Sequence, residues 1–349
     1  MNLDLDLAGT TVLILGTAHS ARRALRRCTH AGAVVRTAHT PADVDLTRPS
    51  GSAGPAGLED VRLVIAVDDC QGGWDDVVAR LRRTHLVVRE DAAAPGGQVI
   101  LVGGGPGQDE LLTVAGRQAL ADADVVLYDR LAPHENLAEL THGAELVDVG
   151  KRPGHHAITQ RGIEELMVDR ARAGETVVRL KGGDPYVFGR GSEEVLAARA
   201  AGIPVRVVPG ITSAVSVPAA AGIPVTHREV SRLFTVVSGH VPLTASECEH
   251  LAGLGGTVVV LMGIGTMHQT MTGLRQAGMT PDMPVAVVER GYSMNQRTTC
   301  STLGEATSAA TLAACSNPAV LVIGEVVRLG HDWPRELTEL AGASLGVSG

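Results

Sequence analysis

Aromatic residues are nearly missing from this chain of 349 residues, which holds two Trp, three Tyr and two Phe. So small a set excludes nucleic-acid binding on stacked aromatic platforms. Lysine is scarcer still: of 30 basic residues only Lys151 and Lys181 are lysines, and the rest are arginines. A net charge of −8 argues against a basic face for polyanions, though not against local basic pockets. The five cysteines (Cys28, Cys70, Cys248, Cys300, Cys315) are widely spaced, with no CxxC or Cys/His pattern. Neither a disulfide framework nor a bound metal is expected, and a reduced, cytoplasmic protein is the default. No apolar run approaches the roughly eighteen residues of a membrane span, so no membrane contact is expected. Residues 1–10 alternate Leu and Asp and lack the regions of a secretory leader.

What is present is ordinary globular material. Hydrophobic residues make up 44% and charged residues 19% of the chain, which excludes disorder and fibrous repeats. The length suits about two domains of common size. Apolar runs at residues 11–16, 33–39, 61–67 and 86–89 read as strands, with helices over 19–30 and 74–83 between them. A loop rich in Pro, Gly and Ser fills residues 41–57, and residues 91–97 (DAAAPGG) read as a linker. The pattern then restarts, with strands at 99–102, 125–128, 146–149, 177–180, 235–238, 258–262, 285–288 and 320–323. Helices are expected over 111–121 and around Ile163, Leu166 and Met167, while residues 330–349 have little pattern. Short strands alternating with helices define an α/β protein with sheets covered on both faces.

Several Gly-rich loops follow strands. The turn after Gly16 lacks the GxGxxG spacing of a dinucleotide site and reads first as a plain strand-to-helix turn. Residues 103–107 (GGGPG) bring backbone amides and carbonyls within reach of a ligand, but have no GK[ST] of a phosphate loop. Residues 179–194 (RLKGGDPYVFGRGSEE), 207–217 (VVPGITSAVSV) and 221–228 (AGIPVTHR) are further loop-dense segments. Loops at strand ends are where α/β folds place ligands. Any one of these could be only a turn; together, in one half of the chain, they point to a site.

A resemblance becomes specific here. LVGGGPGQDELLT, VVLYDRL, VGKRPGHH, VVRLKGGDPYVFGRGSEE, VVPGITSA, AGIPVTHR, VVLMG, PVAVVERG and PAVLVIGEVV occur in the order found in the uroporphyrinogen-III C-methyltransferases. Residues 98–329 resemble that family, and residues 1–90 look more loosely like a shortened precorrin-2 dehydrogenase/ferrochelatase domain of siroheme synthases. The resemblance implies a two-lobed tetrapyrrole methylase fold, with lobes at 98–211 and 212–329. It would follow a small, degenerate Rossmann-like domain without activity of its own. It further implies a homodimer, and S-adenosylmethionine bound between the lobes. The implied reaction is methylation of uroporphyrinogen III at C2 and C7 to precorrin-2, releasing S-adenosylhomocysteine. NAD binding is not expected, because the front glycine motif is incomplete. A multifunctional siroheme synthase that also uses NAD is the alternative.

Methylation of a pyrrole carbon must be followed by proton loss, which calls for a carboxylate base and a nearby acid. By resemblance Asp129 (YDR) is the proton acceptor and Lys151 (VGK) the donor; from the residues alone, Asp129 would rather form an ion pair with Arg130. Arginine cannot release a proton near neutral pH, whereas lysine can be tuned to do so. The positions matching donor-binding residues are Pro106, Gly182, Gly183, Asp184 and Val187, then Thr212, Ser213, Met262 and Gly291. Met262 could equally be core on its strand. A substrate with eight carboxylates asks for local cations, for which Lys151, Arg152, His155, Arg190, His227, Arg228 and Arg232 are candidates. The sequence departs from the family at Ser192, where glycine is usual, and at Ala220, where an aromatic is common. Ser192 puts a positive φ at that position in doubt.

Overall fold

A computed structural model describes residues 6–44, 58–68, 73–91, 96–150 and 158–334. The front of the chain builds β1 (Thr11–Leu15), α1 (Arg22–His30), β2 (Val34–Ala38), β3 (Val61–Asp68), α2 (Asp75–Leu81) and β4 (Leu86–Asp91). The four strands make an all-parallel sheet in the order β2-β1-β3-β4. The helix expected from residue 19 begins only at Arg22. Ahead of it the Thr17 and Ser20 hydroxyls sit 2.9 Å apart, and the Ser20 N–H donates to Thr17 Oγ1 at 3.1 Å, a local turn that competes with helix.

The second unit runs β5 (Gln98–Gly103), α3 (Val114–Asp122), β6 (Val125–Tyr128), α4 (Leu137–Leu140), β7 (Glu145–Asp148), α5 (Gln160–Arg172), β8 (Thr176–Lys181), α6 (Gly191–Ala200) and β9 (Val205–Val208). Its strands are again all parallel, ordered β7-β6-β8-β5-β9. The helix expected from residue 111 starts at Val114, because Thr113 is its cap: Oγ1 accepts the Gly116 N–H at 3.0 Å. Every residue of the central strand β8 is buried, as a strand covered on both faces requires.

The third unit comprises α7 (Ser213–Ala220), β10 (Phe234–Ser238), α8 (Ala245–Leu254), β11 (Thr257–Leu261), α9 (Met267–Gln276), β12 (Pro284–Glu289), β13 (Arg297–Thr302), α10 (Ala306–Leu312) and β14 (Ala319–Ile323). Its sheet, β10-β11-β14-β12-β13, is mixed: only β10 and β11 pair in parallel. β13 (RTTCST) has no apolar run to betray it, and it pairs antiparallel along the edge. The fold also continues past the expected boundary at 329. Trp333 is buried in the core of this unit, with the Arg328 guanidinium 5.0 Å from its ring centre. Among the described residues no helix is long and apolar enough to cross a membrane.

The front unit is fastened to the second by arginines of α1. Arg22 Nε donates to Asp124 Oδ2 at 3.1 Å and Arg26 Nη1 to Asp124 Oδ1 at 2.7 Å, while Arg23 reaches Asp122 at 3.0 Å. Asp124 also accepts the Thr176 N–H at 2.8 Å. Burial alone would raise the Asp124 carboxyl, but the Thr176 amide and the Arg26 and Arg22 guanidiniums outweigh it and hold it below the ordinary range. A depressed carboxylate adds stability that is complete above its unfolded value and fades as pH falls toward the folded one. Asp124→Asn is therefore expected to lose about 1–3 kcal/mol at pH 7 in urea unfolding. The gap to the wild type should narrow only below the ordinary aspartate value of about 3.9; equal stability at pH 7 would contradict this role.

Candidate active site

Because all strands of the second sheet run the same way, their carboxyl ends share one edge, and there the chain leaves as loops rather than core. In the third sheet the ends of β10, β11 and β12 share an edge with the beginning of antiparallel β14. A cleft of about 760 Å³ is lined by residues from both edges. Ligands of open α/β sheets bind at this edge.

Three glycine loops form one wall. The Gly105 N–H donates to Gly183 O at 3.1 Å and the Gly183 N–H to Gly105 O at 2.7 Å, stitching the loops after β5 and β8 together. A Cβ on Gly103 would lie 2.4 Å from Gly210 N and 2.7 Å from Gly183 O. Only glycines let three backbones approach so closely. Asp184 locks the arrangement: Oδ1 accepts the Tyr186 N–H at 2.8 Å and Oδ2 the Gly210 N–H at 3.1 Å. Its carboxylate thus ties loop to loop, a role the sequence did not suggest. Pro106, Gly182, Gly183, Asp184 and Val187 all line the cleft, as do Thr212 and Ser213 at the start of α7. Thr212 caps that helix, its Oγ1 accepting the Ala214 N–H at 3.3 Å.

The opposite wall comes from the third unit, including Met262 and Gly291. Met262 is not core on β11. It stands one residue beyond the strand, at φ 58°, and is 42% exposed. Arg290, just after β12, has φ 48°, and Phe188 and Arg190 have φ 55° and 57°. All four line the cleft, and such strained backbone gathers where surrounding structure enforces it for function. Glu289, fully buried, anchors this rim: it pairs with Arg297 at 2.6 Å and Arg290 at 3.3 Å and accepts the Ser316 N–H at 2.9 Å.

Asp129 follows β6 and lines the same cleft. Its ion-pair partner is Arg179 rather than Arg130: Arg179 Nη2 donates to Oδ2 at 3.2 Å, while the Leu131 N–H donates to Oδ1 at 3.1 Å. Arg179 is buried, and Nε donates to Glu194 Oε1 at 2.9 Å. Glu194, also buried, takes Lys181 Nζ at 3.1 Å on Oε1 and 3.0 Å on Oε2. Burial, then the neighbouring Arg179 charge, pushes the Lys181 ammonium below the ordinary lysine value. The sequence places Lys181 beside the donor loop in a supporting or carboxylate-binding role, but Arg179 and Glu194 were missed; the available signal was two cations inside the otherwise apolar strand VVRLK.

Lys151, Arg152 and His155 lie outside the described residues. Of the remaining candidates for substrate carboxylates, Arg190 lines the cleft, paired with Glu193 at 2.5 Å. His227, Arg228 and Arg232 do not join it: they are exposed around a tight turn closed by a bridge between His227 and Ser231. The sequence pattern there gives cations but not their direction. Ser192 lies inside α6 without positive φ, which falls instead on Arg190. Ala220 is the last residue of α7, and its carbonyl accepts Gln296 Nε2 at 3.0 Å.

Comparison with known proteins identifies the family. Residues 98–307 match the family model of tetrapyrrole (corrin/porphyrin) methylases. An S-adenosyl-L-methionine-dependent uroporphyrinogen III methyltransferase of Methanosarcina barkeri is 48% identical over 240 residues, covering 68% of this chain and 94% of that protein. A uroporphyrin-III C-methyltransferase structure from Thermus thermophilus, complexed with S-adenosylhomocysteine, aligns at TM-score 0.57 and 41% identity over 67% of this chain and all of the other. A siroheme synthase of Tolumonas auensis is 45% identical, over 67% of this chain and half of its own length. The chain belongs to the tetrapyrrole methylase family.

Proposed function

We propose that this protein is a uroporphyrinogen-III C-methyltransferase that moves methyl groups from S-adenosylmethionine to C2 and C7 of the macrocycle, giving precorrin-2. The observation that carries the reading is convergence: all nine residues matched to donor binding, and Asp129, line one cleft. The donor supplies an electrophilic methyl group on a sulfonium centre. Glycine backbones after β5 and β8 suit close contact with such a ligand, and Val187, Val217 and Met262 give the cleft apolar surface. Alignment of the pyrrole carbon with the methyl group supplies much of the rate. Asp129 then accepts the proton that the cationic, methylated macrocycle must lose, and Lys151 acts as the acid. Arg190 contributes to holding the substrate's carboxylates. The protein works as a cytoplasmic homodimer, and the front unit is without catalytic activity.

The front unit's glycine turn supports the last point. A Cβ at Gly16 would lie 3.0 Å from Ser20 Oγ and 3.2 Å from Val67 Cβ, so side chains already fill the bend where a dinucleotide backbone would need room. Incubation with uroporphyrinogen III and labelled S-adenosylmethionine under reducing conditions tests the activity. Two labelled methyl groups per macrocycle are expected, and no transfer would overturn the assignment. Adding NAD should produce no sirohydrochlorin; its appearance would assign dehydrogenase activity to the front unit.

A further inference from the structure

We infer that Glu194 and Lys181 are a positioning pair that sets the charge felt by Asp129, acting through Arg179. The inference rests on Asp129 being the proton acceptor. The groups form a chain of alternating sign: Asp129 to Arg179 at 3.2 Å, Arg179 to Glu194 at 2.9 Å, and Glu194 to Lys181 at 3.0 Å. Two carboxylates and two cations cancel. Glu194, Arg179 and Lys181 are at most 5% exposed at their side chains, whereas Asp129 is 29% exposed; Arg179 and Lys181 border the cleft beside Asp129, and Glu194 lies behind them. Three buried charges thus serve one accessible carboxylate.

The arrangement exceeds what packing requires. The centre of a parallel sheet is normally apolar, and buried ion pairs are often replaceable by hydrophobic residues without loss of stability. Here β8 brings two cations into that position, and α6 supplies the carboxylate between them. Arg179 Nη1 is further fixed by the Leu180 carbonyl at 2.8 Å and the Leu127 carbonyl at 3.3 Å, so its reach toward Asp129 is set by rigid strands. Lys181 passes beneath the donor loop, where a Cβ on Gly189 would lie 3.2 Å from its Cε. In a chain with only one other lysine, this cation is a lysine whose ammonium is weakened by burial and by Arg179. When Asp129 takes a proton, one of the two negative charges disappears. Lys181 is then the only cation of the chain of four able to restore neutrality by releasing a proton, since arginine keeps its own.

Other charged groups lie nearby among the described residues. Arg130 neighbours Asp129 in its loop, and Asp148 of β7 accepts the Gly150 N–H at 2.8 Å across from Arg130. Gln160 of α5 donates to Glu194 Oε1 at 3.4 Å, and Glu193 of α6 pairs outward with Arg190. Among the described residues none of these links Asp129 to Glu194; Arg179 does.

The test is the pH profile of kcat/KM, whose acidic limb reports the base of the free enzyme. Glu194→Gln leaves two cations beside Asp129 and should move that limb to lower pH by about one unit, with a lower plateau. Lys181→Met removes a cation and should move it the other way by a similar amount. The neutral double variant Lys181→Met with Glu194→Gln should return the limb toward the wild-type position. A packing role predicts no such opposition of sign. Lys181→Arg retains the charge and should leave the limb in place; Lys181→Gln, which removes the charge, serves if Lys181→Met fails to fold, as judged by circular dichroism. An unmoved limb, shifts in the same direction, a double variant that does not return, or a moved limb in Lys181→Arg would each overturn the pairing. Asp129→Asn separates this from the underlying reading: if it keeps full turnover, the base is elsewhere. If it abolishes turnover while the other limbs stay fixed, only the pairing fails.

Discussion

Asp129→Asn is expected to lower kcat by about 10²- to 10⁴-fold, the range of a lost general base, while S-adenosylhomocysteine still binds. The substitution keeps size and shape but removes the group that can accept a proton. It also keeps an acceptor for one of two existing partners, Arg179 Nη2 or the Leu131 N–H. The loop should therefore hold its place, and the defect should fall on turnover rather than on donor affinity. Single-turnover methyl transfer with calorimetric titration of S-adenosylhomocysteine distinguishes the two. Turnover close to wild type would remove Asp129 from the reaction.

Gly210→Ala should damage donor binding by a different route. The new Cβ would lie 2.3 Å from Gly183 O and 2.6 Å from Gly103 C. Both are backbone atoms of strand-end loops, not tips of flexible side chains, so the wall itself must move. S-adenosylhomocysteine affinity is expected to fall at least about tenfold, about 1.4 kcal/mol, with a further stability loss of about 1–3 kcal/mol typical of overpacking. Gly253→Ala is the control: it lies in α8 with nothing within 4 Å of the added atom, and alanine favours helix. It should bind as the wild type does and unfold no earlier. A Gly210→Ala protein with unchanged affinity would mean that the three-loop contact does not shape the donor site.

Much of this architecture was legible because most of its strands hold short apolar runs, several of them ended by glycine or proline. β13 escaped because an edge strand with one solvated face does not need such a run, and RTTCST has none. The antiparallel pairing of β12, β13 and β14 escaped because periodicity carries no direction. Trp333 looked like tail because its partners, including Arg328, lie beside it in space rather than in a repeating pattern. The donor loops were readable from composition and family motifs, since close backbone approach demands glycine whatever the ligand. The partner of Asp129 was not. Arg130 is adjacent in sequence, but Arg179 is adjacent across the sheet, and strand order alone decides which one reaches the carboxylate.

The arginines of α1 grip Asp124 just before β6 and the Gly174 carbonyl just before β8, at 3.1 Å from Arg22 Nη2 for the latter. Those are the strands' starting ends, and the cleft opens at their finishing ends. Strands of four to six residues span about 13–20 Å, so the depth of a whole sheet separates the appended unit from the place of methylation. A macrocycle leaving the cleft cannot be channelled from one to the other through the interior of a single chain. Whatever enzyme next acts on that product must meet it in solution or approach from the open side, at the opposite end of the sheet from the α1 arginines.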